Sequence, residues 1–286
     1  MKKYLYLLFA AFVATTMVAC TEKVGSEPGN DPTAVATIYQ LAAPKECDPD
    51  TTCKLRICPN STSKKMWVLA ELEADKEAYV SSKGEAAYAK YVSENGTSYE
   101  AADQDILLEN LAGKYVITAV VADAGNNLKA YEYKYEGILW QDFCTATLYS
   151  GHLEAFLGNQ FPTPVKLQKA DGRNEYRFVA PYYAAASRYG FTQYAQDGYN
   201  LRFEWDGQSE SIKPISDRVI DGLYVFANGF VHPNYGMTYW FVDSDPNYTF
   251  YDAENKMFQI ETKLSIFQGS SPGAFGWYDD WYILDL

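Results

Sequence analysis

Two kinds of residue pattern in this chain can do chemistry: oxygen-rich turns that can hold a cation, and aromatic rings set beside carboxylates. The stretch DSDPNYTFYDAE, residues 243–254, belongs to the first kind. Asp243, Asp245 and Asn247 fall at positions 1, 3 and 5 of a calcium loop. Phe250 falls at position 8 and Glu254 at position 12, where such a loop places a bidentate carboxylate. Against this, position 6 needs glycine for its sharp turn and is Tyr248, and Pro246 fixes the backbone inside the loop. The flanks, MTYWFV and KMFQIETKL, read as strands where the calcium motif needs helices. The sequence therefore predicts a turn at DSDPN, a short strand, and a hairpin turned at DAENK. No metal is expected; Asp243, Asp245 and Asn247 are the residues a cation would use.

The second kind is concentrated in two places. GAFGWYDDWY carries Trp277, Tyr278 and Trp281 beside Asp279, and PYYAAASRYGFTQYAQDGYN carries Tyr182, Tyr183 and Tyr189. A flat ring offers an apolar face to a sugar, and a neighbouring carboxylate accepts from its hydroxyls. The same residue types serve protein interfaces, and they also pack cores. These seven residues are the candidate ligand-binding set.

Catalytic patterns are weaker. Acids such as Glu204, Asp206, Asp252 and Asp280 fall in turns or on the polar side of alternating strands, as expected of solvated surface in an acidic chain. A glycosidase needs two carboxylates across a cleft. His152 follows a Ser-Gly step and His232 lies in a VHPNYG turn, neither in a triad context. No phosphate loop or nucleotide fingerprint occurs. The expectation is no catalytic residue, no cofactor and no enzyme.

These residues must be positioned by strands. TAVATIYQL, CKLRIC, KKMWVLAEL, DILLENL, KYVITAVVA and NLKAYEYKY are strand-like runs separated by turn signals. In KYVITAVVA, Tyr115, Ile117, Ala119 and Val121 point one way; Val116, Thr118 and Val120 point the other. Residues 75–96 break the pattern. Ala87, Tyr88, Tyr91 and Val92 fall at helical spacing, which predicts one or two short helices capping a sheet edge. After EGILWQD the period-two pattern resumes in NLRFEWDG, KMFQIETKLSIF, LYVFANGF, MTYWFVDS, YTFYD and WYILDL, with a hairpin at PVKLQKADGRNEYRFVAPY. Eight or nine strands and no helix of useful length are expected there, as a second antiparallel sandwich in preference to a closed barrel, which also fits.

The N-terminus has Lys2 and Lys3, an apolar run over residues 4–14, and Ala19 before Cys20. This is a secretory signal over residues 1–19, followed by a polar tether over residues 20–32. The 286 residues carry a formal net charge of −13, more negative still without the signal, which argues against nucleic acid as a partner. Twenty-five tyrosines favour β-structure. In an export compartment disulfides can form. Cys47 and Cys53 flank the turn-rich DPDTT, so a local bridge can form there with Cys58 and Cys144 as the remainder; four cysteines allow three pairings, and the sequence does not choose among them.

Three resemblances follow from these residues. The V-A-C ending resembles a bacterial lipoprotein box, which makes Cys20 the lipidated first residue. Leu111, a Gly-containing turn and Tyr115 resemble a tyrosine corner, and residues 33–137 resemble a fibronectin type III domain with a helical insertion. The whole layout, with a β-rich domain over residues 138–286, resembles surface lipoproteins of Bacteroidetes. That resemblance implies an outer-membrane location through a lipid anchor, and capture of glycan or of a surface protein.

Overall fold

The structure is a computed structural model that describes residues 33–216, 218–220, 222–268 and 271–286. The expected signal, the lipidated Cys20 and the tether lie outside the described residues. Half of the structure is strand, in antiparallel sheets. The chain divides into two compact units at Ile138/Leu139.

The first unit runs β1 (Ala36–Leu41), β2 (Cys53–Pro59), β3 (Lys65–Leu72), α1 (Glu73–Lys83), α2 (Glu85–Asn95), β4 (Thr97–Tyr99), β5 (Gln104–Leu108), β6 (Gly113–Ala122) and β7 (Leu128–Gly137). One sheet has the order β1-β2-β5 and the other β4-β3-β6-β7. This is an immunoglobulin-like sandwich whose fourth strand pairs with the third instead of joining the first sheet. Leu55, Ile57, Met66, Ile106, Ile117, Ala119 and Val121 fill the space between the sheets. The two sides of β6 alternate as its sequence predicts, but both are buried. The reason is the helical insertion: α2 lays Tyr88, Ala89 and Val92 on the outer face of the second sheet, against Val120, Trp67 and Leu69. The insertion covers a face, not the edge that the sequence reading assigned to it. There the Tyr88 hydroxyl hydrogen-bonds Glu71 and lies 3.0 Å from Thr118 Oγ1.

Two expectations are corrected in this unit. Tyr115 is half-buried opposite Leu72 and Tyr135, and no described hydrogen bond comes from its hydroxyl, so the corner bond is not made. The Leu111 amide instead donates to Thr51 O at 2.8 Å. A Cβ on Gly137 would come within 1.8 Å of Leu111 O, so only glycine permits this close approach. Cys47 and Cys53 are free thiols, as are Cys58 and Cys144. Cys53 opens β2 and points into the core, while Cys47 sits in the preceding turn. Burial pushes the Cys53 thiol up to about 11, so it is an inert core group.

The second unit runs β8 (Trp140–Ser150), α3 (Gly151–Leu157), β9 (Thr163–Ala170), β10 (Glu175–Phe178), α4 (Pro181–Tyr189), β11 (Leu201–Glu204), β12 (Lys213–Ile215), β13 (Val219–Ile220), β14 (Leu223–His232), β15 (Gly236–Val242), β16 (Phe250–Asp252), β17 (Met257–Gln268) and β18 (Ser271–Asp285). All strands belong to one sheet, ordered β12-β11-β10-β9-β8-β18-β17-β15-β14-β13, with β16 pairing the start of β17. The sheet curls into a half-barrel, so the choice between sandwich and barrel resolves toward the barrel. Its two edge strands, β12 and β13, are consecutive in the chain. Near that seam Val225 N donates to Arg218 O at 2.9 Å, and Tyr251 N donates to Glu210 O at 2.8 Å.

The concave side is filled by alternate residues of the strands, including Leu201, Phe203 and Trp205 of the NLRFEW run and Phe258, Ile260 and Leu264 of β17. Each fully buried Phe contributes roughly 2–3 kcal/mol by apolar transfer. Helix α4 lies inside the curl with Tyr182, Ala185 and Ala186 buried. The sequence reading missed both helices of this unit. The signals for α4 are Pro181 in its first turn and a left-handed Gly190 after its last. The signal for α3 is Ser150, whose side chain accepts from Leu153 N at 3.1 Å.

Candidate functional site

The long strands β17 and β18 build the site. Their register pairs Lys263 with Trp277, Thr262 with Tyr278, Glu261 with Asp279, Ile260 with Asp280, and Gln259 with Trp281. Side chains alternate across a strand. Ile260, Asp280 and Tyr282 are therefore buried in the unit, while Trp277, Asp279 and Trp281 share the convex face with Glu261 and Lys263. Trp277, Tyr278, Asp279 and Trp281 line one open groove of about 420 Å³, and Glu154, Glu261 and Gly151 complete it. Four of the seven predicted residues thus come together.

The other three do not. Tyr182 is in the core, beneath the sheet that carries the groove. Tyr183 packs against that core, and Tyr189 is exposed with its hydroxyl donating to Pro162 O at 2.7 Å. Their types suited an exposed platform in a stretch where no helix was expected. As a helix, the segment turns Tyr182 inward.

The sequence reading also missed Gly151, Glu154 and Glu261. The acid Glu261 was legible as the polar side of β17, but its neighbour across the sheet depends on register. Gly151 is required by packing: a Cβ there would lie 2.5 Å from Asp279 O. It lets α3 start against the strand edge and brings Glu154 to the rim.

Electrostatically the groove is acidic. The Glu261 carboxyl is held above its ordinary value by burial, then by Asp243, Asp279 and Asp245. Burial also raises Asp279, partly offset by a hydrogen bond from Gln259. Lys263 is the local counter-charge, with Nζ 4.7 Å from the Trp277 ring centre. Trp277 is therefore covered by a cation in this structure.

Beneath the groove, Asp280 is fully buried. It accepts hydrogen bonds from the Tyr182 hydroxyl and, at 2.8 Å, from Thr262 Oγ1. Burial pushes its pKa up to about 6, moderated by Ser150, Tyr182, Thr262 and the His152 amide. His152, delivered into the interior by the first turn of α3, packs between Phe156, Trp240 and Tyr278. Burial lowers its pKa to about 3.

The DSDPN turn is closed by its own carboxylates. Asp243 Oδ1 accepts from Asp245 N at 2.9 Å, and Asp245 Oδ1 accepts from Asn247 N at 2.9 Å. Asp252 Oδ1 likewise accepts from Glu254 N and Asn255 N, turning the β16–β17 hairpin. These oxygens serve the backbone. Among the described residues no group of three His, Cys, Asp or Glu side chains is placed to hold a metal ion, and no helix is long and apolar enough to cross a membrane.

Compared with known protein families, with curated proteins and with solved structures, the chain matches none of them.

Proposed function

We propose that this chain is a non-enzymatic surface lipoprotein that captures glycan in the β17–β18 groove, with Cys20 as its lipid-anchored outer-membrane attachment. The observation that carries this reading is the shared convex face of Trp277, Asp279 and Trp281, with Glu261 beside them. The two indoles are four residues apart on one strand, about 13 Å at strand rise. Between them stand carboxylates able to accept from sugar hydroxyls. An open, shallow groove suits a polymer or a chain end better than an enclosed metabolite. The test is a glycan-array screen of residues 21–286, with Trp277→Ala/Trp281→Ala as control. Binding that the double variant loses supports the reading. A folded protein that binds no glycan overturns it in favour of an adhesive protein-binding role.

A hydrolase is the second reading, favoured by one observation: Glu261 and Asp279 form a carboxylate pair with both pKa values raised. Both, however, project from the same wall of the groove, whereas glycoside hydrolysis places its two acids on either side of the scissile bond. Release of reducing ends from an array-positive glycan, abolished by Glu261→Gln, would establish it.

A further inference from the structure

A second cavity lies on the buried side of α3, with a volume of about 90 Å³. Its walls are Leu153, Phe230, Leu264, Tyr194, His152 and Trp240. His152 is 1% exposed and Trp240 2% exposed. One imidazole N–H is drawn to the Thr262 backbone carbonyl. The other imidazole nitrogen and the Trp240 Nε1 are buried with no hydrogen-bond partner, and the two ring centres are 4.6 Å apart. Buried polar atoms are nearly always paired. Two unpaired ones on adjoining rings of one small apolar cavity point to a group that enters it and pairs them.

The chemistry of that group follows from the atoms. The indole N–H only donates, and a neutral imidazole has one donor and one acceptor nitrogen. A hydroxyl both accepts and donates, so one hydroxyl can meet the indole and the imidazole together. A carbonyl or ether leaves the imidazole acceptor unpaired, and a hydrocarbon leaves both atoms unpaired. Burial keeps the imidazole uncharged, and none of the other residues lining the cavity is an aspartate, glutamate, lysine or arginine. A charged ligand would therefore have no counter-ion. A cavity of about 150 Å³ holds benzene, so this one holds about four heavy atoms, and a fifth, as in a butanol, sits at its exposed mouth. Phe156 and Leu157 line the same cavity and are exposed, which gives the remainder of a longer molecule an exit.

We propose that this cavity binds a short uncharged alcohol, free or as the end of a longer chain, with its hydroxyl accepting from Trp240 and donating to His152. The cavity and the groove proposed for glycan share no lining residue.

The test follows the Trp240 indole N–H by heteronuclear NMR on residues 21–286, assigned with Trp240→Phe, during titration with isobutanol. The expected result is a saturable shift with a dissociation constant on the order of millimolar. Methyl isopropyl ether, an isomer of equal size that cannot donate, should bind about tenfold more weakly. His152→Phe should weaken isobutanol by a similar factor. Equal binding of the ether, an unsaturable shift, or Overhauser contacts from the indole N–H to water alone would overturn the proposal. The alcohol–ether comparison needs only the unaltered protein, so it decides the matter even if His152→Phe fails to fold.

Discussion

Glu261 and Asp279 stand directly opposite each other on the β17–β18 ladder, two acids on the wall of one groove. Like charges placed this way destabilise a sheet. The Glu261 carboxyl is raised first by burial and then by the neighbouring acids Asp243, Asp279 and Asp245, and Asp279 is raised by burial. Glu261→Gln should therefore stabilise the fold, by about 0.5 kcal/mol after solvent screening. Carboxyls whose folded pKa is raised lose stability as pH rises above their unfolded value. The gain should accordingly appear at pH 8 and fade toward pH 4. Urea midpoints at the two pH values check this. A variant that gains stability while losing glycan would show that the acids are kept for the ligand.

Lys263 lies on Trp277 but not on Trp281. On the glycan reading, Trp281 is then the readier platform. Trp281→Ala should weaken the best array ligand by tenfold or more, and Trp277→Ala by less. Lys263→Ala should leave affinity unchanged or improve it. Titration calorimetry with the three variants reads the order directly, and equal losses at both tryptophans would show that Lys263 moves aside.

Asp280 makes a larger pH signal. Below its unfolded value of about 3.8 both states are protonated and the group contributes no penalty. Between about 3.8 and about 6 the unfolded chain ionises while the folded one keeps its proton. Stability falls across that window by about 3 kcal/mol and levels off above it. Asp280→Asn keeps an acceptor for Tyr182 and Thr262 and removes the titration. Relative to the unaltered protein, it should gain about 3 kcal/mol on going from pH 4 to pH 8, as read by denaturant unfolding.

Much of this architecture is written in local patterns. Period-two alternation marks β6, β11 and β17, and the inward sets Ile117/Ala119/Val121 and Leu201/Phe203/Trp205 fall where that alternation puts them. The groove was half legible for the same reason: Trp277, Asp279 and Trp281 are alternate residues on one strand. Its other half depends on register and on a helix start. Glu261 reaches Asp279 only through pairing, and Glu154 reaches the rim only because Gly151 lets α3 begin against β18. Helix α4 was missed because a nonamer rich in alanine and tyrosine is short and sits in a unit otherwise dominated by strand alternation. The sheet curls around it, and that long-range packing hides Tyr182. Cys47 and Cys53 failed as a bridge because spacing along the chain says nothing of which way a strand's first side chain points.

His152 opposes Asp280 in the acid limb. Its folded pKa is near 3, against an ordinary value of 6.5. As pH falls below about 6.5, the unfolded chain takes up a proton that the folded one refuses, so stability is lost progressively down to about pH 3. The full loss is about 5 kcal/mol. Between pH 6 and pH 4 the gain from protonating Asp280 offsets part of it, and the profile should be shallow. Below pH 4 the Asp280 gain is complete, and exposed carboxyls with lowered pKa values, such as Asp105 and Asp142, add to the loss. The profile should then steepen. His152→Phe keeps a ring against Phe156, Trp240 and Tyr278 but has nothing to protonate. Its stability relative to the unaltered protein should rise steadily from pH 7 to pH 3.5, measured by urea unfolding at half-unit steps. A variant curve that runs parallel to the original would mean that His152 takes up its proton in the folded state, and with it the neutral cavity on which alcohol binding depends would be lost.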